Sequence, residues 1–181
     1  MQAQKRSWIY SGIAHPPSVV LAQAKKRRRL PAGSRLLLAG DGYAWGLAPF
    51  LGLLARDAHV IYSTYLNQGS IESWDQEKLL ATAVAPGFDM VLLSLDLDPS
   101  KPQERASLTK LVRDGRPAGV TLVWLRPPRK AESVAHLRAA LDAMKVPSFH
   151  SEALVLPRGL DGEPSARGYA GWAGALWQWI G

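Results

Sequence analysis

The residues able to do chemistry gather in four short stretches: Asp41-Gly42-Tyr43, Asn67 to Ser70, Asp96 to Ser100, and Asp161 with Glu163. The chain has no cysteine and four histidines, so disulfides and thiolate chemistry are excluded, and a zinc site would have to use histidine and carboxylate alone. Carboxylates grouped without histidine or cysteine, such as Asp41, Asp96, Asp98, Asp161 and Glu163, suit a hard cation such as Mg²⁺ or Ca²⁺. They equally suit helix caps and solvated loops. The Gly40-Asp41-Gly42 turn could cradle a phosphate, but it lacks the further glycines of a dinucleotide fingerprint and the Lys-Ser/Thr of a P-loop. Seven tryptophans offer faces on which sugars stack, yet Trp172, Trp177 and Trp179 fall on one predicted helix. Trp45 and Trp124 fall on apolar faces that belong in core or interface. Trp74 is left as the expected exposed aromatic.

A second chemical feature is the cationic run Lys25, Lys26, Arg27, Arg28 and Arg29. Net charge is +7, but residues 1 to 36 hold eight Lys/Arg and no Asp/Glu, while the remainder holds 14 and 15. The basic character therefore belongs to an N-terminal arm, residues 1–34, and the domain, 35–181, is nearly neutral. The arm can act as a solvated tail, as a nucleic-acid contact through phosphate neutralisation by Lys25 to Arg29, or as a protein-docking segment. Trp8, Ile9 and Tyr10 form an apolar anchor that favours docking on a protein partner. Val19 to Ala22 is too short for a secretory h-region and precedes the basic cluster, so no signal peptide is expected and the chain should begin at or near Met1. The longest apolar runs, Met90 to Leu93 and Val120 to Leu125, fall far short of the roughly 20 residues that span a bilayer. The expected location is the cytoplasm or a particle that incorporates the chain.

Positioning these groups requires a fold, and 181 residues with 47% apolar and 20% charged positions suffice for one core. From Arg35 onward short apolar runs alternate with amphipathic segments. Arg35 to Gly40, His59 to Thr64, Asp89 to Leu95, Gly119 to Leu125 and Glu152 to Leu156 read as five strands, nearly continuous in hydrophobicity as strands covered on both faces are. Helices are predicted at Trp45 to Arg56, Ile71 to Ala83, Gln103 to Arg113, Ala131 to Met144 and Ala166 to Ile180. Right-handed crossovers then give an α/β fold, a three-layer α/β/α sandwich around a five-stranded, mainly parallel sheet. Ligands in such folds sit beyond the carboxyl ends of the strands, which is where the four stretches fall. His150, ahead of the predicted fifth strand, is expected at the opposite edge.

The stretches taken in order resemble the GDSL, or SGNH, hydrolases, a flavodoxin-like α/β family of esterases, lipases and carbohydrate deacetylases. LLLAGDGYAWGL, Leu36 to Leu47, matches the family's first block except at the serine. NQGSIESW, Asn67 to Trp74, fits the second, VLLSLDLDPS the third (Gly-x-Asn-Asp), and DGEPSARGYAGWA the last (Asp-x-x-His), one residue short.

The resemblance implies a degenerate site. Its nucleophile position is Gly42, which has no side chain; the glycine and asparagine of the third block fall on Asp96 and Asp98, and the histidine falls on Glu163 or on the missing position, with Pro164 next. Gly69, the oxyanion-hole glycine, and Asp161, the triad aspartate, remain. Acyl transfer needs an activated nucleophile, a base within reach and donors aimed at the oxyanion, and loss of the serine alone costs about 10⁶-fold in a comparable triad enzyme. The expectation is a pseudoenzyme with no cofactor or resident metal. It would be a structural or binding component of a larger assembly such as a virion or tail, held by the arm. The alternative is an active esterase or deacetylase on carbohydrate or lipid esters with a non-standard nucleophile.

Overall fold

A computed structural model of the chain describes residues 33–55, 60–65, 87–95, 98–117, 119–126, 128 and 133–180, with 60–65 and 133–134 described through their backbone alone. The elements are β1 Leu36–Gly40, α1 Gly42–Leu54, β2 Val60–Tyr65, β3 Met90–Ser94, α2 Pro102–Gly115, β4 Thr121–Arg126, α3 Ser133–Ala143, β5 Ser148–His150 and α4 Ala166–Ile180. The strands form one sheet in the order β2-β1-β3-β4-β5, and every pairing is parallel.

Alternation along the strands divides the core in two. Leu36, Leu38, Met90, Leu92, Val123, Leu125 and Phe149 face one way, against Leu47 and Leu51 of α1 and Trp172, Ala173 and Leu176 of α4. Leu37, Ala39, Val91, Leu93, Leu122 and Trp124 face the other way, against Leu108 and Leu111 of α2 and Leu137 and Leu141 of α3. Covering both faces explains why the strands carry unbroken apolar runs. It also makes the three-layer α/β architecture that those runs predict. Where β1 and β3 lie side by side, the chain leaves β1 toward one layer and β3 toward the other; a crevice beyond that switch point is where such folds bind ligands.

Three details depart from the sequence-based expectations. The fifth strand is Ser148–His150 and not Glu152 to Leu156: Phe149 is fully buried while Val155 is 86% exposed, and Ser151–Ala153 forms a 3-10 turn. Helix α1 starts three residues earlier than expected, because Asp41 caps it by accepting a hydrogen bond from the Tyr43 N–H. Trp45 is not a core residue; it is 69% exposed. The helix expected at Ile71 to Ala83 lies outside the described residues.

Candidate functional site

The switch point is built around a close approach. Gly40 ends β1 at φ +154°, and a Cβ placed on it would lie 2.0 Å from the Ser94 carbonyl oxygen of β3. Only glycine permits this pinch, which lets the Asp41 N–H donate to the same Ser94 oxygen at 2.9 Å. Oδ1 of Asp41 accepts from the Tyr43 N–H at 3.0 Å and from Ser94 Oγ at 3.1 Å. Asp41 thereby ties the end of β3 to the first turn of α1.

Gly42, the next residue, opens α1 on the exposed side, and a Cβ there would meet nothing within 4 Å. The phenol of Tyr43 is buried and donates to Glu163 Oε1 at 3.0 Å. That bond reaches across 120 residues and closes the 158–164 loop onto α1. Within the loop, Asp161 Oδ1 accepts from the Glu163 N–H at 3.0 Å and the Gly159 N–H donates to the Glu163 carbonyl at 2.8 Å. Asp161 braces the turn and does not cap α4; Ser165 does, accepting from the Gly168 N–H. Behind Tyr43 the Trp172 ring meets it edge-on at 6.1 Å and stacks on Tyr169 at 6.0 Å. Burial pushes the Tyr169 phenol up to about 12, and the negative charges of Glu163, Asp41 and Asp161 push the same way. Asp41, Tyr43, Asp161, Glu163 and Tyr169 therefore form one acidic, tyrosine-backed neighbourhood beside Gly42.

Asp98 belongs elsewhere. Its Oδ1 accepts from the Ser100 hydroxyl at 2.6 Å and the Ser100 N–H at 3.0 Å, and His136 Nδ1 of α3 lies 4.0 Å away. The Ser100 bonds, with Lys101 and His136 nearby, hold its carboxyl below the usual carboxylate range. Among the described residues no three histidine, aspartate or glutamate side chains converge as metal ligands, so Asp98 does not join Asp161 and Glu163 around a cation. Asp96, Gly69 and Trp74, and the arm residues Trp8, Tyr10, Lys25, Lys26, Arg27, Arg28 and Arg29, lie outside the described residues.

Sequence reasoning missed a second group of charges. Since β5 is Ser148–His150 and runs parallel to β4, His150 sits at the carboxyl edge of the sheet, paired in register with Arg126, and not at the opposite edge. Arg126, only 4% exposed at its side chain, is ion-paired with Glu152, and its Nη1 lies 3.3 Å from His150 Nδ1. The available signal was an arginine directly closing the apolar run Leu122 to Leu125: a charge there has to find a buried partner.

This geometry sets a pH dependence. Burial first, and then the adjacent Arg126 charge, hold His150 below its ordinary 6.5, with Glu152 acting against them. The unfolded chain accepts this proton below 6.5 more readily than the folded chain does. The contribution is therefore complete above that pH and is lost as pH falls from 6.5 through the lower folded value. Urea midpoints of the unmodified protein should fall more between about pH 7.5 and about pH 5.5 than those of His150→Gln. Parallel pH profiles for the two proteins would contradict the placement of His150 beside Arg126.

Comparison with known proteins adds to the fold. A scan against protein-family models found no match, and neither did a search of curated proteins. Among solved structures, TesA superposes with a TM-score of 0.57 at 18% identity, over 81% of this chain and 97% of that one. A "putative lipolytic protein of G-D-S-L family" from Desulfitobacterium hafniense DCB-2 superposes with a TM-score of 0.53 at 10% identity, over 80% of this chain and 99% of that one. At such identities the likeness concerns the fold alone. The chain has an SGNH/GDSL hydrolase-like fold.

Proposed function

We propose that the chain is a catalytically degenerate SGNH/GDSL-like domain, residues 35–181, that serves as a structural or binding component of a larger assembly and is tied there by its basic arm, residues 1–34. The observation that carries this reading is the pair Gly42 and Glu163. The residue that follows the Asp41 brace has no side chain to attack with, and Glu163, which takes the histidine position of the last block unless that position is the missing one, is bonded to the Tyr43 hydroxyl. A serine hydrolase needs a nucleophile hydrogen-bonded to a base, and Gly42 and Glu163 supply neither at these two positions. Asp98, at the position of the side-chain oxyanion donor, is held ionised by Ser100, and a carboxylate repels a developing oxyanion instead of stabilising it.

Ester hydrolysis tests the reading. With p-nitrophenyl acetate, medium-chain p-nitrophenyl esters and acetylated sugars, the unmodified chain should show no turnover above that of Gly69→Asp, which spoils the oxyanion-hole glycine. Saturable turnover that disappears in Gly69→Asp would replace the pseudoenzyme reading with the non-standard esterase.

A further inference from the structure

Between β5 and α4 the chain crosses the carboxyl edge of the sheet as a strap, residues 151–163. Ser151 and Leu154 are buried at its start and Leu156 packs partly against the core. From 155 to 163, however, no residue is buried, and Val155 and Leu160 stand in solvent. Polar pins hold this stretch down. Glu152 is paired with Arg126 at the end of β4, Arg158 Nη2 donates to the Pro128 carbonyl at 2.6 Å, and Glu163 accepts from the Tyr43 hydroxyl of α1. Pro128 lies two residues beyond Arg126, so the first two pins share one anchor, the end of β4.

The first pin also shares its carboxylate with a third group. Register pairs His150 with Arg126, which places His150 Nδ1 3.3 Å from Arg126 Nη1 and 3.7 Å from Glu152 Oε1, the oxygen that Arg126 already holds. Side-chain exposure rises from 4% at Arg126 through 15% at Glu152 to 34% at His150, so the imidazole is the member that meets solvent protons. A neutral ring keeps one nitrogen free to accept from Arg126. An imidazolium donates from both nitrogens, faces the guanidinium as a second cation and competes with it for Glu152 Oε1. The other charges that face the ring are Arg138 and Asp142 of α3; they lie 3.8 Å from each other, both largely exposed, and offset one another. The charges around His150 therefore sum to zero while the ring is neutral, and its proton turns the cluster into a net cation in a mostly buried place. Burial disfavours two cations on one carboxylate, and a Glu152 swung out to water relieves it. Strand β5 resists such a movement little, since it has three residues and pairs with β4 alone at the edge of the sheet.

We propose that His150 works the strap as an acid-sensitive latch: protonation of its ring releases Glu152 from Arg126, frees residues 151–163 from the end of β4 and parts Glu163 from Tyr43. Opening withdraws Asp161 and Glu163 from beside Gly42, and a neutral His150 keeps the strap closed. Such a latch is a local charge change acting on a weakly held element. The inference goes beyond the function proposed above and holds for an active or an inactive site.

Hydrogen exchange of the full chain at about pH 7.5 and about pH 5.5, resolved by residue and corrected for the intrinsic pH dependence of exchange, tests it. The reporters are the Gly159 and Ser165 N–H groups, which donate to the Glu163 and Pro157 carbonyls. Their protection should fall by about tenfold or more at the lower pH, while that of the β1 and β3 amides holds. His150→Gln, which stays neutral, should keep the reporters protected at both pH values. His150→Lys, which stays charged, should leave them unprotected at both. Unchanged protection of the reporters in the unmodified chain at the lower pH would overturn the proposal. So would an equal fall in His150→Gln, which would assign the titration to another group, or an equal loss from β1 and β3, which would make the event global unfolding.

Discussion

Gly40→Ala should destabilise the protein by about 3 to 5 kcal/mol, while Gly42→Ala, two residues on, should change stability by less than about 1 kcal/mol. The contrast follows from the geometry at the end of β1. At residue 40 the added methyl group would sit 2.0 Å from the Ser94 carbonyl oxygen and 2.7 Å from its carbon. These are backbone atoms of a central strand, so no side chain can swing aside. The backbone also stands at φ +154°, outside the range that residues with a Cβ adopt readily. Relief requires β1 and β3 to part where Asp41 is bonded to Ser94 through both its N–H and its carboxylate. At residue 42 the same methyl group points into open space, and a glycine is removed from a helix, which offsets any local cost. Urea unfolding followed by circular dichroism checks the pair; similar midpoints for the two variants would contradict the pinched geometry. The tolerant member carries a functional corollary: the fold leaves room for a serine at position 42, so packing does not dictate its absence.

Glu152→Ala should be nearly as costly, about 3 to 5 kcal/mol, because it strands a buried charge. The Arg126 side chain is 4% exposed and its ion-pair partner Glu152 15% exposed, and burial already lowers the pKa of the guanidinium, with Glu152 its main support. Buried Nε of Arg126 and Oε2 of Glu152 have no hydrogen-bond partner among the described residues, so within that set the pair is less than fully satisfied. Apolar replacement of both residues, Arg126→Met with Glu152→Leu, should therefore recover most of the loss, as it does where burial costs an ion pair more than its attraction returns. A double-mutant cycle by denaturant unfolding gives the coupling. Additive single and double variants would mean that the two charges do not depend on each other. Arg126→Met alone should also raise the pKa of His150, since it removes the largest charge that depresses it and leaves Glu152 in place.

The parts legible in the sequence are those fixed by local pattern. Strands covered on both faces need unbroken apolar residues, so β1, β3 and β4 stand out in RLLLAG, DMVLLSL and GVTLVWL, and Trp172 and Leu176 mark the buried face of α4. Asp41 followed by an apolar helix carries its role as brace and cap in its position. Strand β5 has three residues, of which Phe149 alone is buried, too few to make a pattern. EALVL looks more strand-like, yet it turns Val155 to solvent and Glu152 toward Arg126. Trp45 misleads because its entire helix is apolar, so no polar face marks which side is outside. The bond from Tyr43 to Glu163 and the meeting of Arg126 with His150 depend on tertiary register, and no spacing in the chain encodes them. Separation of Asp98 from the other carboxylates has the same origin: Ser100 and α2 hold it on the β3 side, while Asp161 and Glu163 are folded back onto α1.

The room at Gly42 also directs what an engineered rescue should achieve. Gly42→Ser places a hydroxyl beside the acidic neighbourhood, but Glu163 is engaged by Tyr43 and Asp98 stays ionised. The single variant should remain inactive on p-nitrophenyl acetate for want of a base and an oxyanion donor.

The most direct measurement of the central claim is residue-resolved labelling of the folded, unmodified chain with a fluorophosphonate, read by intact mass and peptide mapping. An activated serine nucleophile is labelled far faster than an ordinary hydroxyl, whatever its position in the sequence. The proposed degeneracy of the site predicts no adduct beyond the slow background seen after denaturation. A single stoichiometric adduct on one serine of the folded protein, lost on unfolding and accompanied by ester turnover, would contradict it and identify the nucleophile of an active hydrolase.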